Sequence, residues 1–275
     1  MPLDHQLTDE IVTARPINNL IVFTDLDGTL LDHETYSHTE ALPALSLLRQ
    51  QKIPLVLASS KTAAEIIPLR KSLGFCHCEA IVENGCGILE AGNDDQGSGD
   101  GYHQIRLILN RLPQSLRRQY QGFSDWSAQE VSAQTGLTPV EAARAKQRRF
   151  SEPGLWLGDE ADREEFVTTI SSQGLSVLQG GRFTTLSFGG NKAERMMEIA
   201  KRYASGGEQP FTVALGDAEN DIAMIEHARL GVIIPNPAHD GIQPLHGEAT
   251  GQIIRAPSAG PTGWNQVIMS LLGQQ

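Results

Sequence analysis

Two carboxylates one residue apart, Asp25 and Asp27, close the apolar run Ile21-Val-Phe-Thr in a chain of 275 residues. Residues i and i+2 of an extended chain face the same way, so both acids can point into one crevice at the strand's carboxyl end. Open α/β sheets bind their ligands there. Like charges this close repel, so the pair calls for a cation between them or for one acid to stay protonated. A hard divalent ion with oxygen ligands, Mg²⁺ above all, meets the first condition. Three further groups stand at comparable boundaries. Ser59, Ser60 and Lys61 follow an apolar run that ends at Ala58, Lys192 opens a helical stretch, and Gly216-Asp217-Ala-Glu-Asn220-Asp221 follows Phe211–Leu215.

The elements that must position these groups are legible from periodicity. Ala41, Leu42, Ala44, Leu45, Leu47 and Leu48 recur at helical spacing, and residues 53–58 read as a second buried strand. A helix is expected over 62–73, stopped by Gly74, and then a strand over Ala80-Ile-Val82. Residues 92–101 form an acidic, glycine-rich stretch expected to be a loop. Beyond it, helices are expected over 105–116 and 139–149, strands at 155–157 and 176–178, and a helix over 162–173 between those strands. The alternation resumes with a helix over 192–203, a strand over 211–215, a short helix over 221–227 and a strand over 230–234. Strands alternating with helices indicate a doubly wound, Rossmann-like parallel sheet. The break in pattern indicates a smaller inserted α/β unit. The expected division is a core of 1–86 and 187–275, with 87–186 as the insertion.

Composition narrows the function. The length and a hydrophobic fraction of 40% describe a globular chain with an ample core, and no apolar run approaches a membrane span. A net charge of −11 argues against nucleic-acid binding. The first 19 residues lack the basic-then-apolar layout of a secretory leader, and three cysteines form no disulfide framework, so a cytoplasmic setting is expected. Cys76-His77-Cys78 with Cys86 is a poor match to zinc spacing. Charge is unevenly spread: residues 104–150 carry eight arginines and lysines against three acids. That segment is either a set of solvated helix faces or a region that meets an anionic substrate.

Taken in order, Asp25-Leu-Asp-Gly-Thr29, the strand-terminal serine, the isolated Lys192 and Gly216-Asp-Ala-Glu-Asn-Asp221 resemble the four motifs of the haloacid dehalogenase-like phosphohydrolases. The resemblance implies phosphoryl transfer, a reaction governed by positioning and charge neutralisation. It casts Asp25 as the nucleophile, Asp27 as general acid and base, and Lys192 as the cation that neutralises the reacting groups. It also implies a Mg²⁺ site formed by the Asp25 carboxylate, the Asp27 main-chain oxygen and Asp217. Asp221 would act through metal-bound water or by orienting its neighbours. Ser59 would bind a phosphoryl oxygen, with the adjacent Ser60 as the competing choice.

Five further stretches resemble mannosyl-3-phosphoglycerate phosphatases: Ser59-Ser-Lys-Thr62, Glu83-Asn-Gly85, Arg148-Arg-Phe-Ser-Glu-Pro153, Gly180-Gly-Arg-Phe183 and Gly260-Pro-Thr-Gly-Trp264. The aromatic-His pair usual after the fourth is Thr184-Thr185 here, and the usual Asp-Lys-Gly is Asn191-Lys192-Ala193. The resemblance implies an insertion that acts as a cap and a phosphorylated sugar bearing a glycerate carboxylate as substrate. Such a carboxylate suits arginine, which binds it in a bidentate fork. Arg148, Arg149 and Arg182 are the candidates from the insertion, with Ser60, Lys61, Asn84 and Asn220 from the core. A sucrose or trehalose phosphatase, a broad phosphosugar phosphatase and a non-catalytic phosphosugar sensor are the competing functions.

Overall fold

The computed structural model describes residues 19–92, 100–180 and 182–273. Most of the acidic stretch at 92–101 lies outside the described residues.

Seven strands form the main sheet: β1 (Leu20–Thr24), β2 (Leu55–Ala58), β3 (Ala80–Val82), β4 (Gly87–Leu89), β9 (Phe211–Gly216), β10 (Leu230–Ile233) and β11 (Ile253–Arg255). Between β4 and β9 the chain forms β5 (Tyr120–Gly122), β6 (Ser151–Trp156), β7 (Ser176–Gly180) and β8 (Phe183–Ser187). The main sheet runs in the order β11-β10-β9-β1-β2-β3-β4. All its pairings are parallel except β3 with β4, which returns antiparallel at the edge. The seven-stranded sheet therefore continues past residue 86. The strand order reverses beside β1, which is where a doubly wound sheet opens a crevice.

Side chains alternate across this sheet, as a period of two requires. Val22, Leu55, Leu57, Val213 and Leu215 face one apolar layer, with the helices Leu42–Gln50, Ala63–Leu73 and Gly260–Gly273. Ile21, Phe23, Val56 and Ala214 face the other, with the helices Lys192–Arg202 and Ile222–His227. Burial on both faces accounts for the near-continuous apolar runs in the sequence. Trp264 closes the first layer and donates its indole N–H to Thr24 Oγ1 at 3.0 Å.

The second sheet, in the order β5-β6-β8-β7, is antiparallel throughout. Helices Asp100–Arg111 and Glu160–Ser172 pack on one apolar cluster, and helices Ala128–Thr135 and Pro139–Ala145 on another. The helix expected over 105–116 breaks at Pro113, which caps a separate turn, Gln114–Arg117. The helix expected to reach residue 149 stops at Ala145. The amides of Arg149 and Phe150 instead donate to the Glu83 carboxylate, at 2.9 and 3.2 Å, and the chain turns into β6. No helix among the described residues is long and apolar enough to cross a membrane.

Candidate active site

Strand register carries the acids to one edge. Thr24 of β1 pairs level with Leu215 of β9 and Leu57 of β2, so Asp25, Asp217 and Ser59 leave the sheet together. The Asp25 amide extends the ladder by one bond, to Leu215 O at 2.9 Å. Lys192 begins the helix after the second sheet, with Asn191 as its N-cap. Its ammonium lies 2.6 Å from Asp25 Oδ1 and 2.6 Å from Asp221 Oδ1, and all three side chains are buried.

Three carboxylates share this pocket. Oxygens of Asp25, Asp217 and Asp221 all lie within 4.8 Å of one another. Burial, together with the Asp221 and Asp217 charges, pushes the Asp25 carboxyl well above the usual range, against the pull of Lys192. Burial also works against the Lys192 charge, but Asp221 and Asp25 hold it above the ordinary lysine value. One ammonium against three buried acids leaves the cluster short of positive charge. A divalent cation with oxygen ligands fits that deficit.

Each acid is held differently. Asp217 accepts from Thr29 Oγ1 at 2.6 Å, Asn236 Nδ2 at 2.8 Å and His239 Nε2 at 3.0 Å. His239 Nδ1 accepts the Gly241 amide, so the proton rests on Nε2 and is directed at Asp217. Asp221 uses Oδ1 for Lys192 and Oδ2 for the amides of Asp217 and Ala218, both at 3.2 Å. Asp25 Oδ2 receives no hydrogen bond among the described residues. Gly28 is required here: its φ is +86°, and a Cβ would overlap the Asn236 and Asp217 side chains.

Asp27 lies at the rim. Its Oδ2 pairs with Lys61 Nζ at 2.7 Å, and its Oδ1 is buried with no hydrogen-bond partner among the described residues. The Asp27 charge raises Lys61 above the ordinary lysine value although burial opposes it, and the ammonium stands 5.5 Å over the Tyr36 ring. Of the two serines, Ser59 is buried and accepts the Lys61 amide at 3.2 Å. Ser60 is exposed, and its carbonyl accepts from Arg148 at 3.1 Å. The Asn84 amide donates to Ser59 O at 2.9 Å, and Asn84 Oδ1 accepts from Asn220 Nδ2 at 3.1 Å.

The structure thus gathers Asp25, Asp27, Ser59, Lys61, Asn84, Lys192, Asp217, Asn220 and Asp221 around one crevice. The three arginines are placed otherwise. Arg148 is engaged with Glu83, Ser151 and Ser60 O at the junction of the two sheets. Arg149 follows it there, with its amide on Glu83. Arg182 lies on the β7–β8 connection, donates to Gln134 O at 2.7 Å and stands over the Phe183 ring. Sequence reasoning missed Thr29, Asn236 and His239. An Asn-Pro pair just past β10 was the signal available for Asn236; a lone histidine in a loop offered none.

The chain matches the model of the haloacid dehalogenase-like hydrolases over residues 22–99 and 157–245. It is 32% identical over 273 residues to a glucosyl-3-phosphoglycerate/mannosyl-3-phosphoglycerate phosphatase of Persephonella marina, covering 93% of this chain and 98% of that one. A relative of the same name from Methanococcoides burtonii is 34% identical, covering 92% and 97%. Two solved structures share the fold. A haloacid dehalogenase subclass IIB sugar phosphatase superposes with a TM-score of 0.61 at 16% identity, covering 93% of this chain and all of that one. The Synechocystis sucrose-phosphatase, solved with sucrose and phosphate, gives 0.59 at 17% identity, covering 92% and 98%. By its motifs, its fold and this near full-length likeness, the chain belongs to the haloacid dehalogenase-like hydrolase family.

Proposed function

We propose that this phosphoric monoester hydrolase releases phosphate from a glycosyl-3-phosphoglycerate, with mannosyl or glucosyl as the sugar. The observation that carries the chemistry is the buried trio Asp25, Lys192 and Asp217, which sets an unpartnered carboxylate oxygen beside a fixed cation and a further acid. The substrate class rests on the two relatives, whose likeness spans both the main sheet and the insertion.

Lys192 holds Asp25 by Oδ1, leaving Oδ2 to attack phosphorus. The oxygen–phosphorus bond to Asp25 forms as the bond to the leaving alkoxide breaks, giving an aspartyl phosphate. Asp27, at the rim of the crevice with Oδ2 on Lys61, carries a proton into this step and gives it to that alkoxide. It then takes a proton from the water that releases phosphate and restores Asp25. Ser59, whose oxygen accepts the Lys61 amide, keeps its own proton to donate to a phosphoryl oxygen. Mg²⁺ would be held by the Asp25 carboxylate, the Asp27 main-chain oxygen and Asp217, and when bound supplies neutralising charge at the phosphate. Both oxygens of Asp221 are committed to protein donors, which favours the orienting role for it. The insertion that follows β4 and ends with β8 serves as a cap over this crevice, excluding water and reading the sugar.

The test is a panel of phosphorylated sugars with phosphate release as the readout. A glycosyl-3-phosphoglycerate should exceed the others in kcat/KM by at least about tenfold. Preference for sucrose or trehalose phosphate replaces the substrate assignment. Tight binding without phosphate release replaces it with a sensor.

A further inference from the structure

We propose that Glu83 is a positioning residue that fixes the register of the cap over the phosphate crevice. Its carboxylate is 1% exposed and takes four donors from one short segment entering β6. Oε1 accepts the Arg149 amide at 2.9 Å. Oε2 accepts the Phe150 amide at 3.2 Å and Ser151 Oγ at 2.7 Å, and lies 3.3 Å from Arg148 Nε. Two of these donors are backbone N–H groups that no strand or helix uses. A buried carboxylate so satisfied binds the segment tightly, and losing it leaves several buried donors without partners.

The same residue is tied into the core crevice through its backbone. Glu83, Asn84 and Gly85 are three successive left-handed residues, with φ of +50°, +58° and +90°. The Glu83 amide donates to Lys61 O at 3.0 Å and the Asn84 amide to Ser59 O at 2.9 Å, so the turn grips the serine loop. A non-glycine pair in this conformation is strained and persists only where its surroundings fix it. A Cβ on Gly85 would overlap the Asn191 backbone, which places the start of the Lys192 helix directly against the turn. Arg148 closes the loop: Nη1 donates to Ser60 O at 3.1 Å and Nη2 to Ser151 Oγ at 2.6 Å. One buried carboxylate therefore joins the first strand after the helical part of the cap to the loop that carries Ser59.

The division of labour follows. The backbone of residue 83 shapes the core turn, and its side chain serves the cap. Glu83→Gln keeps the turn but presents an NH₂ group where donors already converge, so it loosens the cap segment and leaves the phosphoryl site intact. A substrate whose leaving group must be gripped by the cap then suffers, and a small aryl phosphate does not.

The experiment measures two properties of Glu83→Gln. Amide hydrogen exchange should quicken at least about tenfold at residues 149–151 while β1, β2 and β9 keep their protection. For the best-turned-over sugar phosphate of the panel, KM should rise at least about fivefold, with kcat/KM for p-nitrophenyl phosphate within about twofold of the parent. Ser151→Ala, which removes one hydroxyl from the same junction, should give the same split at smaller size, and it decides the matter should Glu83→Gln not fold. Unchanged exchange at 149–151, or equal losses on the two substrates, overturns the proposal. The exchange readout uses no substrate, so it stands apart from the assignment of the sugar.

Discussion

Lys192 Nζ lies 2.6 Å from Asp25 Oδ1, and 167 residues of chain separate the two. The contact exists because the helix that starts at Lys192 packs on the apolar layer that holds Ile21 and Phe23 of β1. Around it, three buried acids face one ammonium, an arrangement that favours binding a cation and disfavours the metal-free fold.

Asp25→Asn tests that imbalance. The folded-state carboxyl of Asp25 is raised, so between the unfolded and folded values the folded chain binds a proton that the unfolded chain does not. Metal-free stability therefore falls as pH rises through that window. Asp25→Asn should remove this slope and raise the metal-free melting temperature at neutral pH, by roughly 2–4 °C for each kcal/mol gained. Phosphate release should be lost. Thermal unfolding across pH with a chelator present checks the first outcome.

Lys192→Met should act in the opposite sense. It leaves three buried carboxylates with no ammonium among them, and breaking a buried pair in this way costs about 3–5 kcal/mol. Saturating Mg²⁺ should restore part of the loss. Denaturant unfolding with and without the ion measures both.

Asn236→Ala should weaken Mg²⁺ binding about 10–100-fold, the usual cost of losing a group that orients a metal-binding side chain. Asn236 holds Asp217 Oδ2 at 2.8 Å, beside His239 on the same oxygen. Calorimetric titration of the ion reads this directly, with no turnover needed.

Lys61→Met should separate stability from activity. The pair with Asp27 is only partly buried, with side-chain exposures of 18% and 34%, so its removal should change stability by less than about 1 kcal/mol. Asp27 loses the ammonium that holds its Oδ2, and kcat should drop at least about tenfold. Steady-state kinetics alongside unfolding curves check the pair of outcomes.

The core was legible because β1, β2 and β9 are buried on both faces and read as uninterrupted apolar runs, each ending in its acid or serine. Of the three-residue strands, β3 was read from its unbroken apolar run, whereas β4 and β5, which include Gly87 and Gly122, carry too little pattern to be seen. Residues 146–150 keep helical composition, yet Glu83 captures the amides of Arg149 and Phe150 from 66 and 67 residues away, which no local signal records. The helix Ala128–Thr135 was missed, because the pattern of apolar residues does not bring it out; its Ser127–Glu130 capping box was the local signal available. The acids of the site were found by type and spacing. The groups that hold Asp217, namely Thr29, Asn236 and His239, converge only through the fold.

The most direct measurement is chemical trapping of the covalent state. Enzyme turning over its best substrate is quenched rapidly and reduced with borohydride, which converts an aspartyl phosphate to homoserine, and the peptides are weighed. Homoserine at position 25 is the expected result. Full phosphate release with unmodified Asp25, or with the modification on another acid, contradicts the account.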